Sequence, residues 1–529
     1  MKRHILSILT LVAALALGTT ALTSCDDPQE TQDMVLDRVL SPTGLSARVS
    51  EQTNIVLAWN EMSGADSYEI EAYADSPDYG NRTPDVSGTT TATTYTLTNL
   101  IGETTYYIRV RSVDAEDESR NSKWMTIERT TDPEQNMNKV KPGDILGTSV
   151  TLTWTPGIEV DKIICEPNTA GSTEPTVEYT LTAEDIANGS ATVTGLTPET
   201  SYRATLKLGE KTRGYATFTT NIDFSDATVL TPDMDWVTAI EDAPAGSKLA
   251  LAPGNYVLTD EKLKINGDII LGAQDPAAMP VLNTCIQLYN GATVTLSQII
   301  LDGTDTDGSQ TLEFKDAMGY GDLSLKGCEI RNYTKGMLYI NVAAVVNEIT
   351  IDNCLIHHVE CSGGDFLDSR KGGWNELNLI NSTIYESAGK RDIIRFDDSS
   401  SSVSCSAVTT IDKCTFYNVG NGEANYRIFY VRYNSGANTN IFTNNVVVNF
   451  NNKRGFGNDS KTAPATFKNN YYFNCHHLTA EEDGTGATFF DVEGTVLESN
   501  PFKDPDNADF TITDEVLQSY QFGDPRWLD

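Results

Sequence analysis

Ile351-Asp352-Asn353-Cys354-Leu355-Ile356 decides the fold, because it recurs. The same pattern of apolar ends around a polar turn and a small residue returns at Leu325 to Ile330, Leu379 to Ile384, Ile411 to Phe416, Phe442 to Val447 and Phe467 to Tyr472. Its fourth position is Cys328, Cys354, Ser382, Cys414, Asn445 and Asn470, so successive members lie 26, 28, 32, 31 and 25 residues apart. A β-rich unit of that period, with Asn, Gly and Ser at its corners, marks a solenoid whose coils stack strand upon strand.

Upstream, a second repetition appears. Ile55, Leu57 and Trp59 alternate with polar neighbours, as do Tyr106, Ile108 and Val110, the period-two pattern of half-buried antiparallel strands. Val150, Leu152 and Trp154 repeat the first set and Tyr202, Ala204 and Leu206 the second; Trp to Tyr spans 47 residues in one copy and 48 in the other. Each Tyr follows a Leu by six residues, Leu100 to Tyr106 and Leu196 to Tyr202. These features resemble the fibronectin type III module with its early-strand Trp and tyrosine corner, over residues 39–133 and 138–220. Asp132 to Asn138, with Pro133, is the expected joint, and such modules serve as spacers or as weak ligand binders.

The solenoid, residues 225–529, opens with Asp235 to Ile240, spaced for a short helix, then a strand from Lys248 to Leu251 and the turn Pro253-Gly254-Asn255-Tyr256. With the coil repeats, this resembles the right-handed parallel β-helix of the pectate-lyase-like (pectin-lyase-like) proteins. The ending from Asp504-Pro505 to Gly523-Asp524-Pro525-Arg526-Trp527 resembles members of unassigned function from bacterial glycan-utilisation systems. The expected fold is therefore all-β: two fibronectin type III sandwiches followed by a right-handed parallel β-helix.

The N-terminus reads as an export signal. Lys2, Arg3 and His4 precede an apolar run from Ile5 to Leu17, too short to span a bilayer comfortably. The stretch ends Leu22-Thr23-Ser24-Cys25, which resembles the lipobox of bacterial lipoproteins; that implies a signal peptide over 1–24, lipidation at Cys25 and a linker over 25–38. Asp26, Asp27 and Glu30 resemble the acidic signal that sends some Gram-negative lipoproteins to the outer face of the outer membrane. The expected location is thus the outer membrane, lipid-anchored and facing outward, beside other glycan-uptake proteins. A formal net charge of −36, with 74 acidic against 38 basic residues, leaves no diffuse basic surface for nucleic acid.

Candidate chemistry lies on one face of the coils. Aligning four coils pairs Leu338-Tyr339-Ile340-Asn341 with Leu367-Asp368-Ser369-Arg370, Ile394-Arg395-Phe396-Asp397 and Phe429-Tyr430-Val431-Arg432. Alternation sends Tyr339, Asn341, Asp368, Arg370, Arg395, Asp397, Tyr430 and Arg432 outward, in a ladder whose rungs are about 4.8 Å apart. Two readings are open. Guanidinium groups beside tyrosine platforms suit an acidic, pectin-like uronic-acid polysaccharide, whereas Asp368 beside Arg395 and Arg370 beside Asp397 suit cross-strand ion pairs in an adhesin or stalk. On the first reading, Arg370→Ala and Arg395→Ala weaken binding without lowering the melting temperature.

If the face cleaves by β-elimination, a base must take the proton alpha to the carboxylate and a cation must neutralise that carboxylate. Lys371, Lys390, Arg391 and Arg395 are the candidate bases, and Asp368, Asp397 and Asp398 the candidate Ca²⁺ ligands. No lyase, polygalacturonase or pectin methylesterase motif is matched, so the resemblance implies a fold and assigns no catalytic residue. His357-His358 and His476-His477 are expected as turn residues just outside the repeat strands, and Asp302 to Gly308 as a polar turn, since read as an EF-hand its first and last positions, Gly303 and Phe314, are wrong. Cys328, Cys354 and Cys414 share one repeat position and are expected as packed inward thiols.

Overall fold

The computed structural model describes residues 37–479 and 486–528; the signal, Cys25 and the acidic run lie outside them. The chain divides into two compact units, ending at Asp132 and beginning at Pro133.

The first unit is a sandwich. Strands Ser46–Ser50, Asn54–Ala58 and Thr94–Leu97 form one antiparallel sheet, and Val86–Thr90, Ser67–Ala74, Thr105–Val113 and Met125–Thr130 the other. Ile55, Leu57, Ile108 and Val110 are wholly buried between them, as alternation requires. Tyr106 Oη accepts from the Ile101 N–H at 2.9 Å, the tyrosine corner that pins a loop to the sheet.

The second unit begins with another sandwich. Strands Ser149–Thr153 and Ser190–Thr194 face the four-stranded sheet Val177–Thr180, Lys162–Pro167, Ser201–Leu208 and Lys211–Thr219, with Trp154 and Tyr202 buried between. Here Tyr202 Oη accepts from the Thr197 N–H at 3.1 Å.

The solenoid follows, in about nine coils. A short helix, Trp236–Glu241, is capped by the Asp235 carboxylate on the Thr238 N–H, and its Trp236 ring meets Tyr256 edge-on. Tyr256 Oη donates to the Leu230 carbonyl at 2.7 Å, closing the Pro253–Tyr256 turn over the first coil. The coils that follow contribute strands to three parallel faces, except that those of Thr439–Thr443 and Thr466–Lys468 contribute to the first and second only. The first face includes Leu323–Lys326, Val345–Asp352 and Gly373–Ile380; the second includes Glu329–Arg331, Leu355–His357 and Thr383–Tyr385. The third holds Leu312–Phe314, Leu338–Ile340, Leu367–Ser369, Ile394–Phe396 and Phe429–Val431, and the long strand Val281–Leu288 pairs into both the second and third faces.

The repeated hexapeptide is the corner between the first and second faces. Gln298, Gly327, Asn353, Asn381, Lys413, Asn444 and Asn469 stack there with φ between +48° and +62°. Only Gly adopts that left-handed region freely, and Asn more readily than most residues, which is why the repeat carries them. The following residue turns inward: Cys328, Cys354 and Cys414 are buried, and each side chain of the column meets the coil next to it. Ser382 Oγ takes the Cys354 N–H at 3.0 Å, Asn445 Oδ1 the Cys414 N–H at 2.8 Å and Asn470 Oδ1 the Asn445 N–H at 3.0 Å. The eight described cysteines are free thiols. A second left-handed corner follows the second face, at Asn332, His358, Glu386, Asn418, Asn449 and Asn474.

After the last coil strand, Thr495–Val496, the chain folds back. The pair Phe502–Asp504 and Asp509–Ile512 and the helix Glu515–Tyr520 bury Phe510, Ile512, Leu517 and Phe522 against Tyr417, Val446 and Val448 on the second face.

Candidate functional site

The third face places the ladder in one register. Tyr339 lies beside Asp368, Asp368 beside Arg395 and Arg395 beside Tyr430. The column continues toward the N-terminal coils through Glu313, Gln287 and Lys264. Leu338, Leu367, Ile394 and Phe429 beneath it are wholly buried.

The side chains differ from the expectation in two ways. First, Asp368 is not exposed: 0 % of its surface is accessible, because Arg370 and the Gly364–Asp365 turn close over it. Second, the main ion pairs run along one coil, from a strand residue to one just past the strand's end, two residues apart, where side chains share a face. Arg370 Nε donates to Asp368 Oδ1 at 2.5 Å and Nη2 to Oδ2 at 2.9 Å, while Arg395 Nε and Nη2 hold Asp397 at 3.1 and 3.0 Å. Between coils the links are Arg432 to Asp397 at 2.7 Å and Arg395 to Asp365 Oδ2 at 3.4 Å, while Arg370 reaches the same Asp365 Oδ2 within its own coil at 2.9 Å.

Asp365 is a member the sequence reading missed, and so are Asp392 and Arg427. All three are buried. Arg427 grips Asp392 through Nε at 2.7 Å and Nη2 at 3.0 Å, and its guanidinium lies 3.7 Å from the centre of the Tyr430 ring. Arg432 and Arg395 stand 4.5 and 5.3 Å from the same ring. The signal was two residues away: extending the four-coil alignment by two positions on its N-terminal side puts Gly336, Asp365, Asp392 and Arg427 in one column. Their side chains cap the coil that follows, Asp365 Oδ1 taking the Asp392 N–H and Asp392 Oδ1 the Arg427 N–H.

Electrostatics sort these carboxyls. Burial pushes the Asp368 carboxyl above its usual range, Arg370 pulling it back and the Asp365 charge pushing it up again. Burial likewise raises Asp392 against the pull of Arg427. At Asp397 burial also raises, but the hydrogen bonds from Arg395 and Arg432 outweigh it and hold the carboxyl below its usual range.

The candidate bases divide. Arg391 is committed to the Cys361 and Ser362 carbonyls at 3.1 and 3.4 Å, and Arg395 to Asp397 and Asp365. Lys371 and Lys390 are exposed. The candidate Ca²⁺ ligands do not converge. Asp398 turns to Ser400, Asn434 and Lys461, which lower its carboxyl to about 2, while Asp368 and Asp397 are occupied by arginines. Among the described residues no three His, Cys, Asp or Glu side chains are grouped to hold a metal ion. Asp302 accepts from Thr304 and Arg331 in the expected polar turn.

The histidines correct another expectation. His357 ends the strand Leu355–His357 rather than standing outside it, stacked on Tyr385 with ring centres 4.7 Å apart, and His476 and His477 open the short helix His476–Thr479. His357 Nε2 meets Glu329 Oε1 at 3.2 Å and its Nδ1 meets His358 Nδ1 at 2.8 Å. Two described cavities lie off the ladder: one of about 440 Å³ lined by Val496 to Pro501, Thr513 and Asp514, and one of about 160 Å³ lined by residues including Pro142, Pro276, Glu329 and Arg526.

Residues 40–128 match the fibronectin type III domain family. Residues 254–387 match a domain of unknown function, DUF4957, and 409–527 another, DUF5123, so the ladder straddles both segments and Arg395 and Asp397 fall between them. No curated protein matches the chain. Among solved structures, a two-domain fibronectin type III segment of chicken tenascin is 19% identical, covering 34% of this chain and 97% of its own with a TM-score of 0.25. A structure titled FN3tt is 29% identical over 18% of this chain and 95% of its own, with a TM-score of 0.15. The chain is thus all-β, with a fibronectin type III region followed by a β-solenoid.

Proposed function

We propose that this is an exported surface protein, lipid-anchored through Cys25 at the outer membrane, whose solenoid binds an acidic, uronic-acid polysaccharide along the third face. One observation carries the binding: Tyr339, Asp368, Arg395 and Tyr430 stand in register beside Asn341, Arg370, Asp397 and Arg432 on successive coils. Among the described residues, Arg370 Nη1 and Arg432 Nη1 make no hydrogen bond, and their side chains keep 29% and 28% of their surface exposed. They offer donors already held in place by Asp368 and Asp397, so that little side-chain freedom is lost on binding. The four Asp and four Arg cancel, and Lys371, Lys390 and Arg391 flank them with positive charge in an otherwise acidic chain.

Binding is favoured over cleavage, since two of the four candidate bases are committed elsewhere and the carboxylates meant for Ca²⁺ are held apart. Incubation with uronic-acid and neutral polysaccharides, with and without Ca²⁺, tests this. Retention on polyuronate gels without new absorbance from unsaturated ends is expected; that absorbance means a lyase. A specific observation favours the second reading, an adhesin or stalk: Asp365, Asp368, Asp392 and Asp397 are all paired with arginines of the chain itself. Retention on none of the glycans supports it. Protease shaving of intact cells and fractionation of Cys25→Ala test the location.

A further inference from the structure

The last residues of the chain reach back along the solenoid. Gly523 N–H donates to the Asn444 carbonyl at 2.9 Å, and Asp524 N–H to Thr415 Oγ1 at 3.0 Å. One coil earlier, Thr383 Oγ1 donates to Asp524 Oδ2 at 2.7 Å and receives the Trp527 indole N–H at 2.7 Å. Earlier still, Arg526 Nη2 donates to the Asn353 carbonyl and Oδ1 at 2.6 and 2.9 Å. The path thus crosses the coils of Asn444, Thr415, Thr383 and Asn353 in turn, against the direction of the fold, and Asp524 and Leu528 are buried along it.

At its end stands the second sandwich module. Lys139 Nζ donates to the Pro525 carbonyl at 2.6 Å and also to the Leu528 carbonyl. Nearby, the module's turn at Gly143 packs so closely on the solenoid turn at Ala277 that an added Cβ would lie 3.1 Å from the Ala277 Cα. The 160 Å³ cavity at this junction has walls from all three parts: Pro142 of the module, Pro276 and Leu355 of the coils, and Arg526 of the returning segment. Apart from the covalent connection, the polar ties among the described residues also include Lys326 to Glu199 at 2.5 Å, with side chains 39% and 52% exposed, and Gln298 to Asn221 at 3.4 Å. An exposed pair of that kind is a weak fastening, whereas an ammonium between two carbonyls on a buried, multiply anchored segment is a charge-assisted one.

We propose that residues 523–528 are a clasp: by presenting the Pro525 and Leu528 carbonyls to Lys139, they hold the second sandwich module in one orientation on the solenoid. The partner surface is within the chain, and it gives the Gly523-Asp524-Pro525-Arg526-Trp527 ending a role independent of any ligand.

Spin labels at Glu184→Cys on the module and Ser402→Cys on the solenoid, both exposed and introduced together with Cys405→Ser, report the distance between them in the full chain. In the parent a single narrow distribution is expected. Lys139→Ala, a surface change that leaves both cores intact, should roughly double its width, and Lys139→Arg should restore it. Deletion of 523–529 should widen it at least as much, with the thermal transition of the solenoid monitored alongside. If Lys139→Ala keeps the parent's narrow distribution, the clasp is overturned, whatever the deletion does. A distribution that widens equally in Lys139→Ala and Lys139→Arg also overturns it.

Discussion

Arg370→Ala separates a binding face from a structural one more sharply than any other single change. The substitution removes two hydrogen bonds to Asp368 and one to Asp365, leaving Asp368 with the Asp365 N–H at 3.3 Å. The Asp368 side chain is 1% exposed in the parent, and removing Arg370 uncovers it only in part, because the Gly364–Asp365 turn stays over it. Removing one member of a buried ion pair costs about 3–5 kcal/mol. Proton uptake sets a ceiling: keeping a carboxyl of ordinary pKa 3.8 neutral at about pH 7 costs about 1.36 kcal/mol per unit, or about 4 kcal/mol. The expected loss at neutral pH is therefore about 3–4 kcal/mol, which for this residue predicts a lowered melting temperature in place of an unchanged one. The sign of the pH dependence follows. Burial already raises the folded Asp368 above its unfolded value, and loss of Arg370 raises it further. The favourable contribution is present below the unfolded pKa and is lost as pH rises through the folded one. The deficit of Arg370→Ala against the parent should thus shrink by up to about 1.4 kcal/mol per pH unit on going from about pH 7 to about pH 4. Urea unfolding at several pH values measures it, with Arg370→Ala/Asp368→Asn as a control in which most of the dependence disappears. A variant that unfolds at the parent's urea concentration at neutral pH, or whose deficit ignores pH, refutes the reasoning.

Arg395→Ala should behave differently, since Asp397 keeps Arg432 at 2.7 Å: about 1 kcal/mol of stability is expected to go, making it the better variant for testing polyuronate retention. Tyr106→Phe and Tyr202→Phe each remove a tyrosine-corner hydrogen bond and should each lower the stability of their own module by about 0.5–1.5 kcal/mol in denaturant titrations. Lys413 stands at φ +52° in a corner otherwise built largely of Asn and Gly, so Lys413→Gly should stabilise the solenoid by about 0.5–1 kcal/mol, and a lower midpoint would contradict the corner account. Among the described thiols Cys405 is the only one not fully buried, and it should be the first to react in the folded protein, with Cys328, Cys354 and Cys414 reacting only on unfolding.

Much of the solenoid was legible in the linear chain because its determinants are local. The left-handed corner favours Asn or Gly, as at Asn353, Asn381 and Asn444, whatever lies around them, and alternation within Leu338–Ile340 or Ile394–Phe396 sends side chains to opposite faces. The spacing of Trp59 and Tyr106, repeated at Trp154 and Tyr202, is local in the same sense, for it reflects strand and loop lengths within one module. Register between coils followed from aligning like residues, and it brought Tyr339, Asp368, Arg395 and Tyr430 side by side.

What alternation could not show is which outward residues stay in water. Asp368 points to the same face as Arg395, yet a turn three to four residues upstream covers it, and coverage depends on the path of Gly364 and Asp365, which belong to no strand. Asp365, Asp392 and Arg427 were hidden for a related reason: they sit where the chain bends into the strand and successive side chains, such as Phe366 and Leu367, are both buried, so period two no longer assigns a side. The return of Asp524, Arg526 and Trp527 to coils more than 100 residues earlier in sequence leaves no periodic trace at all. Repetition in the sequence determines the coil, since each coil meets only copies of itself; contacts made once, between segments far apart along the chain, were decided by the tertiary structure alone.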